Sequence, residues 1–118
     1  MTQESPASVV QKQLDAYNAK DLEALLQAYA PDAEQYALHG ALLAKGRDAM
    51  RERFATRFNE PDLHARLLTR TVMGNFVTDL ELVTRNFPHG IGTMEMLCVY
   101  EVEDGLIQRA SFALGGPR

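Results

Sequence analysis

The sequence predicts an α+β domain, with three amino-terminal helices packed on one face of a curved antiparallel sheet. Three observations predict it. Up to Pro61 the larger apolar residues recur at spacings of three and four, the period of a helix with one buried face. Beyond Pro61 that spacing gives way to runs of Val, Leu, Thr and aromatic residues in imperfect alternation. Turn signals part these runs, and Asp104-Gly105 between two of them is a strong hairpin signal, because a type I′ turn needs positive φ at both central residues. Helices first and strands afterwards is the order of an α+β domain.

Each element has its own grounds. Ser5 followed by Pro6 supplies a capping hydroxyl and then a residue pre-set for the first helical position, and Val10, Leu14 and Tyr17 line one face of the helix that follows. Asp21 caps a second helix with Leu22, Leu25, Leu26 and Tyr29 as its stripe, and Pro31 is expected to stop it. Residues 34–38 form a short early strand. Gly46 and Asp48 open a third helix with Met50, Phe54 and Phe58 on one face, closed by Asn59 and Pro61. Strands are expected over residues 63–72, 76–87, 93–102 and 106–114, parted by turns at 73–75, 88–92 and 103–105. Their imperfect alternation implies cover on both faces. The helices cover one, and a partner subunit over the other makes a homodimer the expected state.

The totals narrow the function. With 118 residues the chain is sized for a single domain spanning 1–118. Sixteen acidic against twelve basic residues, the latter scattered, argue against nucleic acid, whose affinity rests on neutralising phosphates. A single cysteine, Cys98, allows no disulfide within the chain and suits a reducing cytoplasm. The amino terminus has no leader pattern and no stretch is apolar enough for a membrane helix, so no membrane partner is expected. His39, His64 and His89 fall in separate segments, and neither metal nor cofactor is expected.

Polar residues at inward strand positions are the functional candidates, because a polar group inside an apolar shell is costly unless bonded. On 76–87 one face carries Asp79, Glu81 and Arg85 among Val77, Val83 and Phe87. Two close carboxylates push one pKa upward, which suits a general base. Equally, this face meets solvent or a partner, with Glu81 paired to Arg85. On 93–102, Met94, Met96, Cys98, Tyr100 and Val102 share one face. His64, Arg66 and Arg70 share parity on the strand before, and histidine is the side-chain type suited to acid–base work near neutrality.

The stretch "VVQKQLDAYNAKDLEALLQAYAPDAEQY", the Gly-led third helix and "VYEVEDGLIQRASFALG" together resemble the nuclear-transport-factor-2-like superfamily, and more closely its SnoaL-like and ketosteroid-isomerase-like branch. The resemblance covers nearly the whole chain. It implies a cone-shaped shell with a pocket between sheet and helices, a homodimer through the outer sheet face, and a small hydrophobic molecule as ligand. It makes the Met96, Cys98 and Tyr100 face the pocket face. It also implies a ligand-binding set of Gln13, Tyr17, Tyr36, His39, Phe54, His64, Met96, Cys98 and Phe112, with Tyr36 and His39 at the mouth. Ketosteroid isomerases use an Asp base and an oxyanion hole of a Tyr and a protonated acid. Those positions fall here on Ala37, Gln13 and Cys98 (or Leu97), so steroid isomerisation by that machinery is not expected. Two readings follow. One is a cofactor-free enzyme of isomerase, cyclase or hydratase type, with Asp79, Glu81 and Tyr100 as its catalytic residues. The other is a non-catalytic ligand-binding or dimeric accessory module.

Overall fold

The computed structural model describes residues 4–117; residues 1–3, where the expectation about a leader begins, and Arg118 lie outside the described residues. Helix α1 spans Pro6–Ala19 and opens as its sequence dictates, with the Ser5 hydroxyl accepting from the Ser8 backbone N–H at 3.2 Å. It ends on Lys20, which takes a left-handed conformation. Helix α2 is short, Leu22–Gln27, capped by Asp21. Its stripe stops at Leu26, because Tyr29 already belongs to strand β1, Tyr29–Ala37. Pro31 therefore does not stop the helix. It sits inside β1, in the irregular stretch between Tyr29 and Glu34 where pairing with the neighbouring strand lapses and no N–H is needed.

A short strand β2, Leu42–Lys45, which the sequence reading lacked, leads into helix α3, Gly46–Arg57. Strands β3 (His64–Met73), β4 (Phe76–Phe87), β5 (Gly90–Glu103) and β6 (Leu106–Pro117) follow as an antiparallel meander. The hairpin between β5 and β6 turns at Asp104 and Gly105 with φ of 54° and 74°, the two positive values the Asp-Gly pair predicts.

The six strands form one curved, open sheet in the order β2-β1-β6-β5-β4-β3. It is mixed rather than wholly antiparallel, because β1 lies parallel to β6. That pairing joins the first strand to the last, and no local pattern in either encodes it. The helices pack on one face, α1 against β3 to β6 and α3 against β1 and β2. The core between the layers centres on Val10, Leu25, Met50, Val77 and Ile107, all fully buried. Leu80, Leu82, Leu97 and Val99 occupy the opposite face of the sheet and stay half-exposed.

Candidate active site

Strand β4 settles the question its sequence left open. Val77, Asp79, Glu81 and Val83 all point towards the helices and are buried, while Thr78, Leu80 and Leu82 point away. Pairing with β5 sets Met96 opposite Glu81 and Cys98 opposite Asp79, with Tyr100 one step further along. Above this floor, α1 contributes Gln13, Leu14 and Tyr17, and α3 contributes Phe54. These side chains, with Phe112 of β6, enclose a concavity into which Glu81, Met96 and Tyr100 also open. Its free volume of about 50 Å³ holds a few water molecules, so a larger ligand needs Met96 or Phe112 to swing aside. Both are only half-buried.

Glu81 is the chemical centre of the concavity. It is 2% exposed and has no ion pair among the described residues. Burial, and secondly the negative charge of Asp79, push its pKa from 4.5 up to about 7; a hydrogen bond from the Cys98 thiol and the charge of Arg70 pull the other way. The Tyr100 hydroxyl lies beside the Cys98 thiol. Burial holds the Cys98 thiol and the Tyr100 hydroxyl well above their usual ranges, so both keep their protons at neutral pH. A carboxylate that titrates near neutrality beside a permanent hydroxyl donor is an arrangement for moving a proton.

Asp79 has a different fate. Arg70 closes on it with two hydrogen bonds of 2.7 and 2.9 Å, and Gln11 accepts from the same guanidinium at 2.9 Å. Asp79 is fully buried beneath that pair and does not line the concavity. The expected partner, Arg85, is instead bound to Glu60 by two bonds of 2.8 Å, so neither Asp79 nor Glu81 pairs with it. The exchange follows from a β-bulge. The register with β4 slips between Leu67 and Thr69, so His64 and Arg66 face outward opposite Thr84 and Leu82 while Arg70 faces inward opposite Asp79. The parity that grouped His64 with Arg70 is broken by one residue.

The other sequence candidates divide. Gln13, Tyr17, Phe54, Met96 and Phe112 meet at the concavity. Cys98 lies just beneath it, fully buried against Glu81. His64 is exposed on the outer side of the sheet. Tyr36 and His39 are also separate from the concavity, beside Arg109 and Ser111 in a shallow depression of their own. β1 pairs with β6 so that Tyr36 lies next to Ser111 on the outward face and Ala37 next to Phe112 on the inward one.

Four residues of the site escaped sequence reasoning, the first being Leu14, read only as part of the buried stripe of α1. Tyr29, read as helical, lines the floor from β1. Arg53 and Arg57 flank the rim from α3. A signal for them was present: Met50, Arg53, Phe54, Arg57 and Phe58 follow the three-and-four spacing of a buried stripe, and cations in such a stripe point towards whatever the helix covers. Arg57 reaches Tyr17 and lies 3.5 Å from Glu60. Arg53 donates to Gln35 at 2.9 Å and lies over the Phe112 ring. No group of three or more His, Cys, Asp or Glu suited to a metal exists among the described residues, and no helix there is long and apolar enough to cross a membrane.

Comparison with known proteins places this architecture. The SnoaL-like domain model matches residues 10–110. A cystatin-fold protein from Novosphingobium aromaticivorans superposes with a TM-score of 0.86 at 24% identity, covering 93% of this chain and 98% of that one. A proposed polyketide cyclase from Sinorhizobium meliloti gives 0.74 at 26% identity, covering 90% and 94%. IdmH from Streptomyces antibioticus, likewise a proposed polyketide cyclase, gives 0.79 at 20% identity, covering 94% and 92%. No curated protein matches the chain.

Proposed function

This chain belongs to the SnoaL-like domain family, and from that premise we propose that it is a cofactor-free acid–base enzyme of isomerase, cyclase or hydratase type. In this reading Glu81 moves a proton on a small hydrophobic compound held in the concavity. The observation that carries the reading is Glu81 itself: buried, without an ion pair, facing the concavity, and with a pKa of about 7. A base is most effective when its pKa lies near the working pH. The proposed cyclase function of two structural neighbours adds support.

The steps follow from the groups present. The Glu81 carboxylate takes the proton from a carbon next to a carbonyl. The C–H electron pair becomes the new C=C bond, and the carbonyl π pair moves to its oxygen. The Tyr100 hydroxyl, fixed in its protonated form, donates to that oxygen as charge develops. Where a C=C bond is conjugated with the enolate, Glu81 returns the proton at its far carbon as the carbonyl re-forms, which isomerises the compound. Alternatively, the enolate carbon bonds to a second carbonyl carbon of the same molecule, whose π pair moves to its oxygen and takes the proton back from Glu81 as the first carbonyl re-forms, which closes a ring.

Hydrogen–deuterium exchange tests this without the natural substrate. Small cyclic ketones incubated in D₂O with the protein are expected to exchange their α-protons, and Glu81→Gln to slow that exchange about 100- to 10,000-fold. Equal exchange with the wild type and the variant removes Glu81 as the base. One observation favours a second reading, a binding module: the positions of the isomerase machinery hold Ala37, Gln13 and Cys98. That reading predicts a ligand that raises the melting temperature and is recovered unchanged.

The half-exposed Leu80, Leu82, Leu97 and Val99 support a homodimer through the outer sheet face. Such an interface buries roughly 1,200–2,000 Å² in total. Light scattering that returns a monomer at micromolar concentration rules it out.

A further inference from the structure

Arg53 differs from Arg57, Arg70 and Arg85, which each have a carboxylate partner. Arg70 and Arg85 each close on a carboxylate with two hydrogen bonds. Arg53 has no carboxylate within ion-pair distance among the described residues, and its hydrogen bonding ends at the Gln35 amide oxygen. It is half-buried, with its guanidinium 5.6 Å from the centre of the Phe112 ring and 5.8 Å from that of Phe54. A guanidinium drawn this far from water without an anion is costly to hold. A second group in the same concavity is equally incomplete. Gln13 is 5% exposed, lines the cavity, and its amide oxygen has no hydrogen-bond partner.

These two deficits have complementary chemistry. A guanidinium beside two aromatic rings takes a planar carboxylate attached to a flat apolar body. An amide oxygen without a partner takes an O–H or N–H donor. Between them lie the aromatic faces of Phe54 and Phe112 and the adaptable thioether of Met96.

We propose that the concavity binds a small planar organic anion, its carboxylate on Arg53 and an O–H donor of the same molecule on Gln13. The proposal rests on the acid–base reading of the same site and names the substrate class it serves. It also gives Glu81 a second consequence. A carboxylate ligand shares the concavity with Glu81, so it binds more tightly when Glu81 is protonated. The charged and titratable groups around Glu81 and its concavity are Asp79 and Arg70, Cys98 and Tyr100, the tyrosines Tyr17 and Tyr29, and from α3 Arg53 and Arg57. Burial holds the Cys98, Tyr100, Tyr17 and Tyr29 protons above their ordinary ranges, so the pH dependence is assigned to Glu81.

Calorimetric titration with benzoate, 3- and 4-hydroxybenzoate and the matching benzamides tests the assignment. The hydroxybenzoates are expected to bind at least tenfold more tightly than the benzamides, and more tightly at pH 6 than at pH 8. Arg53→Met is expected to abolish the preference for the anion, and Gln13→Leu to erase the gain from the hydroxyl while leaving benzoate unchanged. Circular dichroism and melting curves confirm that both variants are folded, and Arg66→Met, on the outer face, serves as the neutral control. If benzamides bind as well as benzoates, or if Arg53→Met leaves the preference intact, the anion assignment is overturned. Absence of binding by every probe at millimolar concentration overturns it too. None of these results touches the deuterium-exchange test of Glu81, so the two readings fail separately.

Discussion

Two carboxylates on one strand, two residues apart, meet opposite surroundings. Asp79 is locked by the Arg70 fork and withdrawn from the concavity, whereas Glu81 keeps its lone pairs for the cavity and one thiol. Both are buried to within 2% of full burial. Burial alone therefore does not make a residue chemically useful. Asp79 is compensated by the Arg70 fork, so it serves the fold, and its charge acts on Glu81. Glu81 is uncompensated, and that charge helps to hold its proton near neutrality. The locked acid tunes the free one.

The largest test of this contrast is catalytic. Glu81→Gln is expected to remove about 100- to 10,000-fold of any proton-transfer rate while the melting temperature holds or rises, because a buried charge has been deleted. A variant that loses activity and unfolds as well would make Glu81 structural like its neighbour. Next in size is Arg70→Met, which strands Asp79 as an unpaired buried charge. Chemical denaturation is expected to show a loss of about 3–5 kcal/mol, the usual effect of breaking a buried pair from one side. The same variant is expected to raise the Glu81 pKa further, since a cation that lowers it is gone. An unchanged stability would mean the Asp79–Arg70 pair is not locked.

A third test uses pH. The folded pKa of Glu81 lies above its unfolded value of 4.5, so the native state binds the proton more tightly than the unfolded chain does. Its contribution is therefore most favourable below about pH 4.5, declines as pH rises through the window to about 7, and is flat beyond. The difference in stability between the wild type and Glu81→Gln is expected to change by up to about 3 kcal/mol across that window. A difference independent of pH would show that Glu81 ionises normally. The smallest effect is expected from Cys98→Ala, which removes the thiol donor to Glu81. Carboxylate titration followed by infrared spectroscopy should show the Glu81 midpoint moving upward, with a change in stability of about 1–2 kcal/mol for the lost buried sulfur.

One part of this contrast, the face the two acids share, was readable in advance. Period-two alternation places Asp79 and Glu81 on one face with Val77 and Val83, and the structure puts that face inward. The face of Met96, Cys98 and Tyr100 likewise turns inward, as the resemblance implied. The partner of Asp79 was not readable. A bulge at Leu68 turns Arg70 from the side of His64 to the side of Asp79, and no residue at 67–69 announces it. Arg53 and Arg57 were readable in principle from the stripe of α3, but charged residues there pass easily for a solvated edge. Tyr36 and His39 missed the site because β1 turns Tyr36 outward, a choice made by its parallel pairing with β6.

By itself the sequence determined the kinds and order of most elements: the Ser5-Pro6 start, the Asp21 cap, the Asp-Gly turn and the four long strands. These are short-range matters, settled by the φ preferences, capping groups and apolar period of a few adjacent residues. Only the tertiary structure decided that β1 runs beside β6, that Arg70 meets Asp79, and that Arg53 overlooks the cavity without an ion-pair partner among the described residues. Those depend on register and packing between segments distant in the chain. There a slip of one residue reverses the direction of a side chain, and with it the difference between a locked acid and a free one.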